Sequence, residues 1–157
     1  MKTSVKLALI GIGTLALFSF AKKKINDYSY VLENLIFIPD KLRNLKLGTI
    51  IKFDFDIVFR NNTTIDLSIN TLGVVALKYV ELFYNGNLVG TASGTLSQLT
   101  VPKKGTARVS GFHAEIPLLN LLNSNFDTNL ANYKLKLTID ALGQTYVIDQ
   151  PVSNFIV

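Results

Sequence analysis

Apolar and polar residues alternate with a period of two through the body of this chain, the pattern of strands with one face buried. Ile51, Phe53, Phe55, Ile57 and Phe59 alternate with Lys52, Asp54, Asp56, Val58 and Arg60. Asn61-Asn62-Thr63-Thr64 breaks the run, and Ile65, Leu67 and Ile69 resume it against Asp66, Ser68 and Asn70. A further strand is predicted near Leu77 to Tyr84. It leads into Asn85-Gly86, a dipeptide suited to a tight hairpin because both residues tolerate positive φ, and Leu88 and Val89 begin the return. Val101-Pro102-Lys103-Lys104-Gly105 reads as a second turn. The strand after it, Thr106 to Ile116, changes phase between Val109 and Phe112, which predicts a bulge near Ser110-Gly111. Two last strands, Tyr133 to Ala141 and Thr145 to Asp149, turn near Leu142-Gly143. One stretch departs from the alternation. Pro117-Leu118-Leu119-Asn120-Leu121-Leu122 predicts a short helix, ending by Asn125, that caps one open end of the fold.

The first residues follow a different rule. An unbroken apolar run from Leu7 to Ala21 is preceded by Lys2 and Lys6 and followed at once by Lys22, Lys23 and Lys24. As a helix, Leu7 to Ala21 spans about 22 Å and Thr3 to Ala21 about 28 Å, against a hydrocarbon core of ~30 Å. Snorkelling of the flanking lysines makes up the difference. A cleaved signal peptide is the competing reading, with Ser19-Phe20-Ala21 as the cleavage site, and it would make the protein secreted. Three lysines directly after a cleavage point act as a stop signal, so an uncleaved single-pass anchor is preferred. Its apolar residues would be Leu7, Leu9, Ile10, Ile12, Leu15, Leu17, Phe18 and Phe20. A buried core helix would hardly be bracketed by lysines. The flanks balance, so the positive-inside rule selects neither orientation. The expected organisation is an anchor at 1–24, a short stalk at 25–30 and one β domain at 31–157.

This segment also accounts for the charge. The chain carries 16 Lys+Arg against 11 Asp+Glu, a formal +5. Five of those lysines lie in the first 24 residues, leaving the body with 11 of each sign. The basic balance therefore belongs to membrane flanks and gives no footprint for nucleic acid. Cysteine is absent, which removes disulfides and thiolate metal sites.

Candidate chemistry is sparse. Asp54 and Asp56, two apart on one strand, project to the same side about 7 Å apart. With His113, the single histidine, they are the best candidates for acid–base or cation chemistry. A solvated strand face and an ordinary histidine hydrogen bond explain them better. Asn61 and Asn62 each begin a glycosylation sequon, and a turn accounts for both. Phe53, Phe55, Phe59, Phe83 and Phe112 recur at strand spacing and are expected in the core. No glycine-rich phosphate loop follows a strand, and Lys103-Lys104 is a pair at a turn tip. The expectation is an absence of enzymatic activity, cofactor, metal and small-molecule substrate.

Taken in order, Phe59-Arg60-Asn61-Asn62-Thr63, Ile65-Asp66-Leu67-Ser68-Ile69, Leu82-Phe83-Tyr84-Asn85-Gly86-Asn87-Leu88-Val89-Gly90, the Pro102 to Gly105 turn, the leucine-rich helix and a closing strand pair form a recognisable series. The series resembles the type 2 late embryogenesis abundant domain, also called the water-stress and hypersensitive-response domain, over roughly residues 31 to 150. Asn62 or Thr63 stands where that family has the proline of an Asn-Pro turn. The resemblance implies an all-β, immunoglobulin- or fibronectin-like β-sandwich. It marks Asn61, Asn62, Thr63, Asn85, Gly86, Gly90, Pro102 and Gly105 as motif turns, and it implies a stress-protective role. The expected partners are a lipid bilayer and a protein or assembly. A structural subunit of a membrane-containing virion or cell-envelope complex is the alternative.

Overall fold

A computed structural model describes residues 22–70, 75–125, 127 and 129–152. The segment expected to be the anchor, Leu7 to Ala21, lies outside them. Among the described residues no helix is long and apolar enough to cross a membrane.

The described residues open with a helix, α1, at 22–33, so residues 25–30, the expected stalk, are helical. Lys22, Lys23 and Lys24 form its exposed first turn, and Lys24 Nζ lies 5.5 Å from the centroid of the Tyr28 ring. Ile25, Tyr28, Val31 and Leu32 recur at helical spacing. Val31 and Leu32 are fully buried and Tyr28 packs against the core, which fastens the helix to the domain.

Nine strands follow: β1 Leu35–Lys46, β2 Ile50–Asn61, β3 Leu67–Ile69, β4 Val75–Tyr84, β5 Asn87–Ser93, β6 Leu99–Val101, β7 Gly105–Pro117, β8 Tyr133–Ala141 and β9 Gln144–Pro151. Seven form one antiparallel sheet in the order β1-β2-β7-β5-β4-β8-β9, and β3 pairs with β6 in a small second sheet. A helix, α2, spans Leu118–Asn123, and a 3-10 turn spans Leu130–Asn132.

The predicted turns sit where their chemistry requires. Asn85 (φ 47°) and Gly86 (φ 83°) join β4 to β5, and Leu142 and Gly143 make the same left-handed pair between β8 and β9. Gly111 takes φ 92° where the β2–β7 register slips between the Phe55–Phe112 and Ile57–Val109 pairs. That slip is the expected bulge, and it keeps Phe112 and Ala114 on the inner face with Phe55 and Ile57.

β1 and β9 are opposite edges of the large sheet, yet Gln150 Nε2 donates to Leu35 O across 3.1 Å. Contact between the two edges requires the sheet to curl on itself. Ser29 Oγ, on α1, lies 2.7 Å from Tyr146 Oη, on β9, and holds the helix along that seam. The curled inner face carries the core: Phe37, Phe59 and Phe112 are the largest fully buried side chains, joined by Ile57, Leu137 and Ile139. Leu67, Ile69, Leu99 and Val101 bring the small sheet into the same cluster. Each fully buried side chain of this size contributes about 1.5–3 kcal/mol. Phe83 departs from the expected aromatic set. It stands on the outer face of β4, 5.9 Å from Lys136 Nζ.

One corner is held by polar groups. Asn61 is fully buried; its Nδ2 donates to Ile65 O (2.8 Å) and Val101 O (3.3 Å), and its Oδ1 accepts from Thr63 N and Thr63 Oγ1. Lys104 N donates to Thr63 O and Lys103 N to Asp66 Oδ1, which clamps the β6–β7 turn against the β2–β3 turn. Replacing Asn61 with Ala strips four hydrogen bonds from buried groups and should cost about 3 kcal/mol of stability. Denaturant unfolding reads it, and a midpoint indistinguishable from the parent would contradict this account.

Candidate functional site

The curl leaves an apolar cavity of about 230 Å³ at the end of the sheet away from the Asn61 corner. Its walls come from six strands and the residue after β9: Pro39 and Leu42 on β1, Phe53 and Phe55 on β2, Val80 and Leu82 on β4, Gly90, Thr91 and Ala92 on β5, Ala114 and Ile116 on β7, Leu135 on β8, and Val152. The room arises from small residues at facing positions. Ala92 pairs with Ala114 across β5 and β7, and Leu82 pairs with Gly90 across β4 and β5. A Cβ on Gly90 would lie 2.7 Å from Ile116 Cγ1, so a larger residue there must push Ile116 aside. Towards the core the cavity ends against aromatic rings, with Phe53–Phe55 centroids 5.9 Å apart and Phe55–Phe112 centroids 5.6 Å apart. The surface lining the space is wholly apolar.

Exposed apolar side chains gather at the same end. Of twelve large exposed apolar residues described, eight are here: Leu42, Leu45, Leu47 and Ile50 around the β1–β2 turn, Leu88 on β5, and Leu118, Leu119 and Leu122 on α2. The pieces are tied together, since Leu118 N donates to Thr49 O at 2.9 Å and Ile50 pairs with Pro117. The helix expected to cap this end buries none of its residues. Leu119 is 68% exposed, and Leu47, on the neighbouring turn, 79%. A single helical turn and a half is too short to fold its whole leucine cluster inward. Contiguous exposed apolar surface of this kind marks an interaction site.

Lysines border this surface. Lys41 precedes Leu42 and Lys46 ends β1, whereas Lys134, opposite Phe83 across β4 and β8, is on the outer face. Among the described residues none of the three enters an ion pair.

The carboxylates picked from the sequence take structural partners. Asp54 Oδ1 lies 2.8 Å from His113 Nδ1, and Asp54 Oδ2 accepts from Asn44 Nδ2. Asp56, 3% exposed, accepts from Arg43 Nη2 at 2.8 Å, with Arg108 Nη1 at 3.8 Å. Glu115 pairs with Lys52. These groups share the outer face of β1, β2 and β7, and the bulge separates the two aspartates into different networks. The Asn44 and His113 hydrogen bonds hold the Asp54 carboxyl below its ordinary range, the Arg43 hydrogen bond does the same for Asp56, and Lys52 does so for Glu115. No group of three or more His, Cys, Asp or Glu converges on a common point among the described residues.

The motif turns divide between two places. Asn61, Thr63, Pro102 and Gly105 converge at the polar corner, where Asn62 O also accepts from Lys104 Nζ. Full burial removes Asn61 from any glycosylation in the folded protein, while Asn62 is exposed. Asn85 and Gly86 form a hairpin at the apolar end. Gly90 lies within β5 and lines the cavity, so it is a wall residue and no turn. Sequence reasoning missed Ala92, Ala114 and the leucines of β1, because a void between strands has no signature in the order of residues. A larger hollow of about 400 Å³ between residues 95–100 and Ala107 to Ser110 is lined largely by polar residues, and its Arg108 is already engaged by Asp40.

No protein-family model matches the chain, and no curated protein matches it. Among solved structures it is similar to a crystal structure of a protein from Archaeoglobus fulgidus, at 13% identity over 73% of this chain and 87% of that one, with a TM-score of 0.37. The reading of the site therefore rests on this chain's own geometry.

The outer-face pairs set a pH dependence. A folded pKa held below the ordinary carboxyl value means the unfolded chain binds protons first as pH falls. The stabilisation from Asp56 is complete above the unfolded value near 3.8 and is lost as pH drops through the folded one. Arg43→Met should lower the urea midpoint at pH 7 and flatten its decline towards pH 3. An unchanged pH profile would remove Asp56 from the account.

Proposed function

We propose that this chain is a non-enzymatic, membrane-anchored β-sandwich module of the type 2 late embryogenesis abundant kind, working by contact through its apolar end. The observation that carries the proposal is the concentration of eight exposed apolar side chains at the end of the sheet that holds the cavity, with Leu42 at its mouth. Elsewhere the described ionisable groups of the outer face are spent on pairing strands. Leu7 to Ala21 with its lysines supplies the anchor in this reading, and α1, fixed to the core through Val31 and Leu32, transmits that attachment to the domain. The water-stress role that the resemblance implies fits a module that covers apolar surface exposed on drying membranes or clients.

A subunit of a larger membrane-bound assembly would use the same leucines as a fixed contact. Stoichiometry separates the two readings, because a defined ratio to one partner after gentle extraction selects the assembly.

Replacing both Ile12 and Leu15 with Arg costs about 2.5–3.5 kcal/mol each at mid-membrane. The double variant should leave the carbonate-washed membrane pellet for the supernatant, and continued pelleting would sink the anchor reading. Leu119→Asp with Leu122→Asp should abolish crosslinks made by the full chain in membranes while changing stability by no more than about 0.5 kcal/mol, since both side chains face solvent. Crosslinks that persist in that variant would move the contact surface elsewhere.

A further inference from the structure

We propose that the cavity between β1, β2, β4, β5, β7 and β8 is a binding site for the acyl chain of a fatty acid. The proposal rests on the apolar end being the working surface, and it names what that surface takes up.

The lining decides the chemistry. A peptide segment brings N–H and C=O groups that would find no partner against Leu42, Phe53, Leu82, Ala92, Ile116 and Leu135. A polar metabolite meets the same penalty. Hydrocarbon meets none, and an apolar cavity of ~150 Å³ already stays dry and takes up a benzene-sized molecule. About 230 Å³ has room for the inner part of one alkyl tail. Each methylene buried there raises affinity about fourfold.

The rim decides the head. Leu42 lines the cavity and is 59% exposed, so the space is entered past it. Lys41, next to it, has no carboxylate partner among the described residues. A free ammonium group beside an apolar mouth matches a chain that is hydrocarbon within and ends in a carboxylate.

The test uses the full chain in phosphatidylcholine vesicles containing a fatty acid with a diazirine on its tail. After illumination, mass spectrometry locates the labelled residues. Label is expected on Leu42, Phe53, Leu82 or Ile116 and, separately, within residues 7–21. Ala92→Leu fills the cavity and should reduce cavity label about tenfold, with label in 7–21 unchanged. If Ala92→Leu does not fold, Leu42→Asp at the exposed mouth should give the same loss. Lys41→Gln should weaken labelling by the acid severalfold and leave its methyl ester unaffected. Cavity label that survives Ala92→Leu or Leu42→Asp, or label confined to 7–21, overturns the proposal. Cavity label that appears only after Phe155→Ser and Ile156→Ser assigns the space to the chain's own carboxyl-terminal residues and overturns it equally. Missing label in 7–21 together with strong cavity label refutes the anchor and spares the site.

Discussion

The two edges of the seven-stranded sheet are drawn together along only part of their length, and the rest of the molecule depends on that partial closure. Gln150 of β9 reaches Leu35 of β1, and α1 fills the space beside them through Val31, Leu32 and the Ser29–Tyr146 contact. On that half the inner face is packed with Phe37, Phe59, Ile57 and Ile139. Further along β1 the strand turns irregular, with left-handed residues at Lys41 and Asn44 and two register slips. Among the described residues no helix fills the seam along this half, and the small residues of β5 and β7 leave it hollow. A closed, dry core and an accessible apolar cavity are thus two ends of one sheet.

Polar groups on the outer face support that shape by pairing neighbouring strands. Asp56 is nearly buried among strands that need a charge partner, and Arg43 reaches it from the irregular part of β1. Removing one member of such a pair strands a buried charge, so the pair fixes where β1 lies on β2. Asp54, His113, Lys52 and Glu115 continue the row at more exposed positions, where each pair is worth little.

Much of this fold is legible in the order of residues, for local reasons. Asn85-Gly86 specifies a hairpin through its own φ preferences and Gly143 marks the next one despite the unfavourable φ of Leu142, and the phase change at Ser110-Gly111 reveals a bulge because side-chain direction flips with each residue. β1 is illegible, since Pro39 and the left-handed residues break its alternation. Residues 25–30 read as a stalk although Ile25, Tyr28, Val31 and Leu32 keep helical spacing; the adjacent lysines and Asn26-Asp27 masked it. The leucines of Leu118–Asn123 announce a helix over one end but not the exposure of Leu118, Leu119 and Leu122, because hydrophobicity says that a face wants cover and not whether its own chain supplies it. The cavity escapes sequence reasoning altogether, as Gly90, Ala92 and Ala114 acquire meaning only when β5, β7 and β4 lie side by side.

The irregularity of β1 has a colloidal consequence. An edge strand with regular, unpaired backbone groups is a template for another chain's strand, and Pro39 withholds a donor while the kinks at Lys41 and Asn44 disrupt the row. Copies of the chain crowded together are thereby discouraged from growing into ribbons by strand addition. Their encounters are left to side chains, which come apart again, so a concentrated solution of the domain should stay fluid.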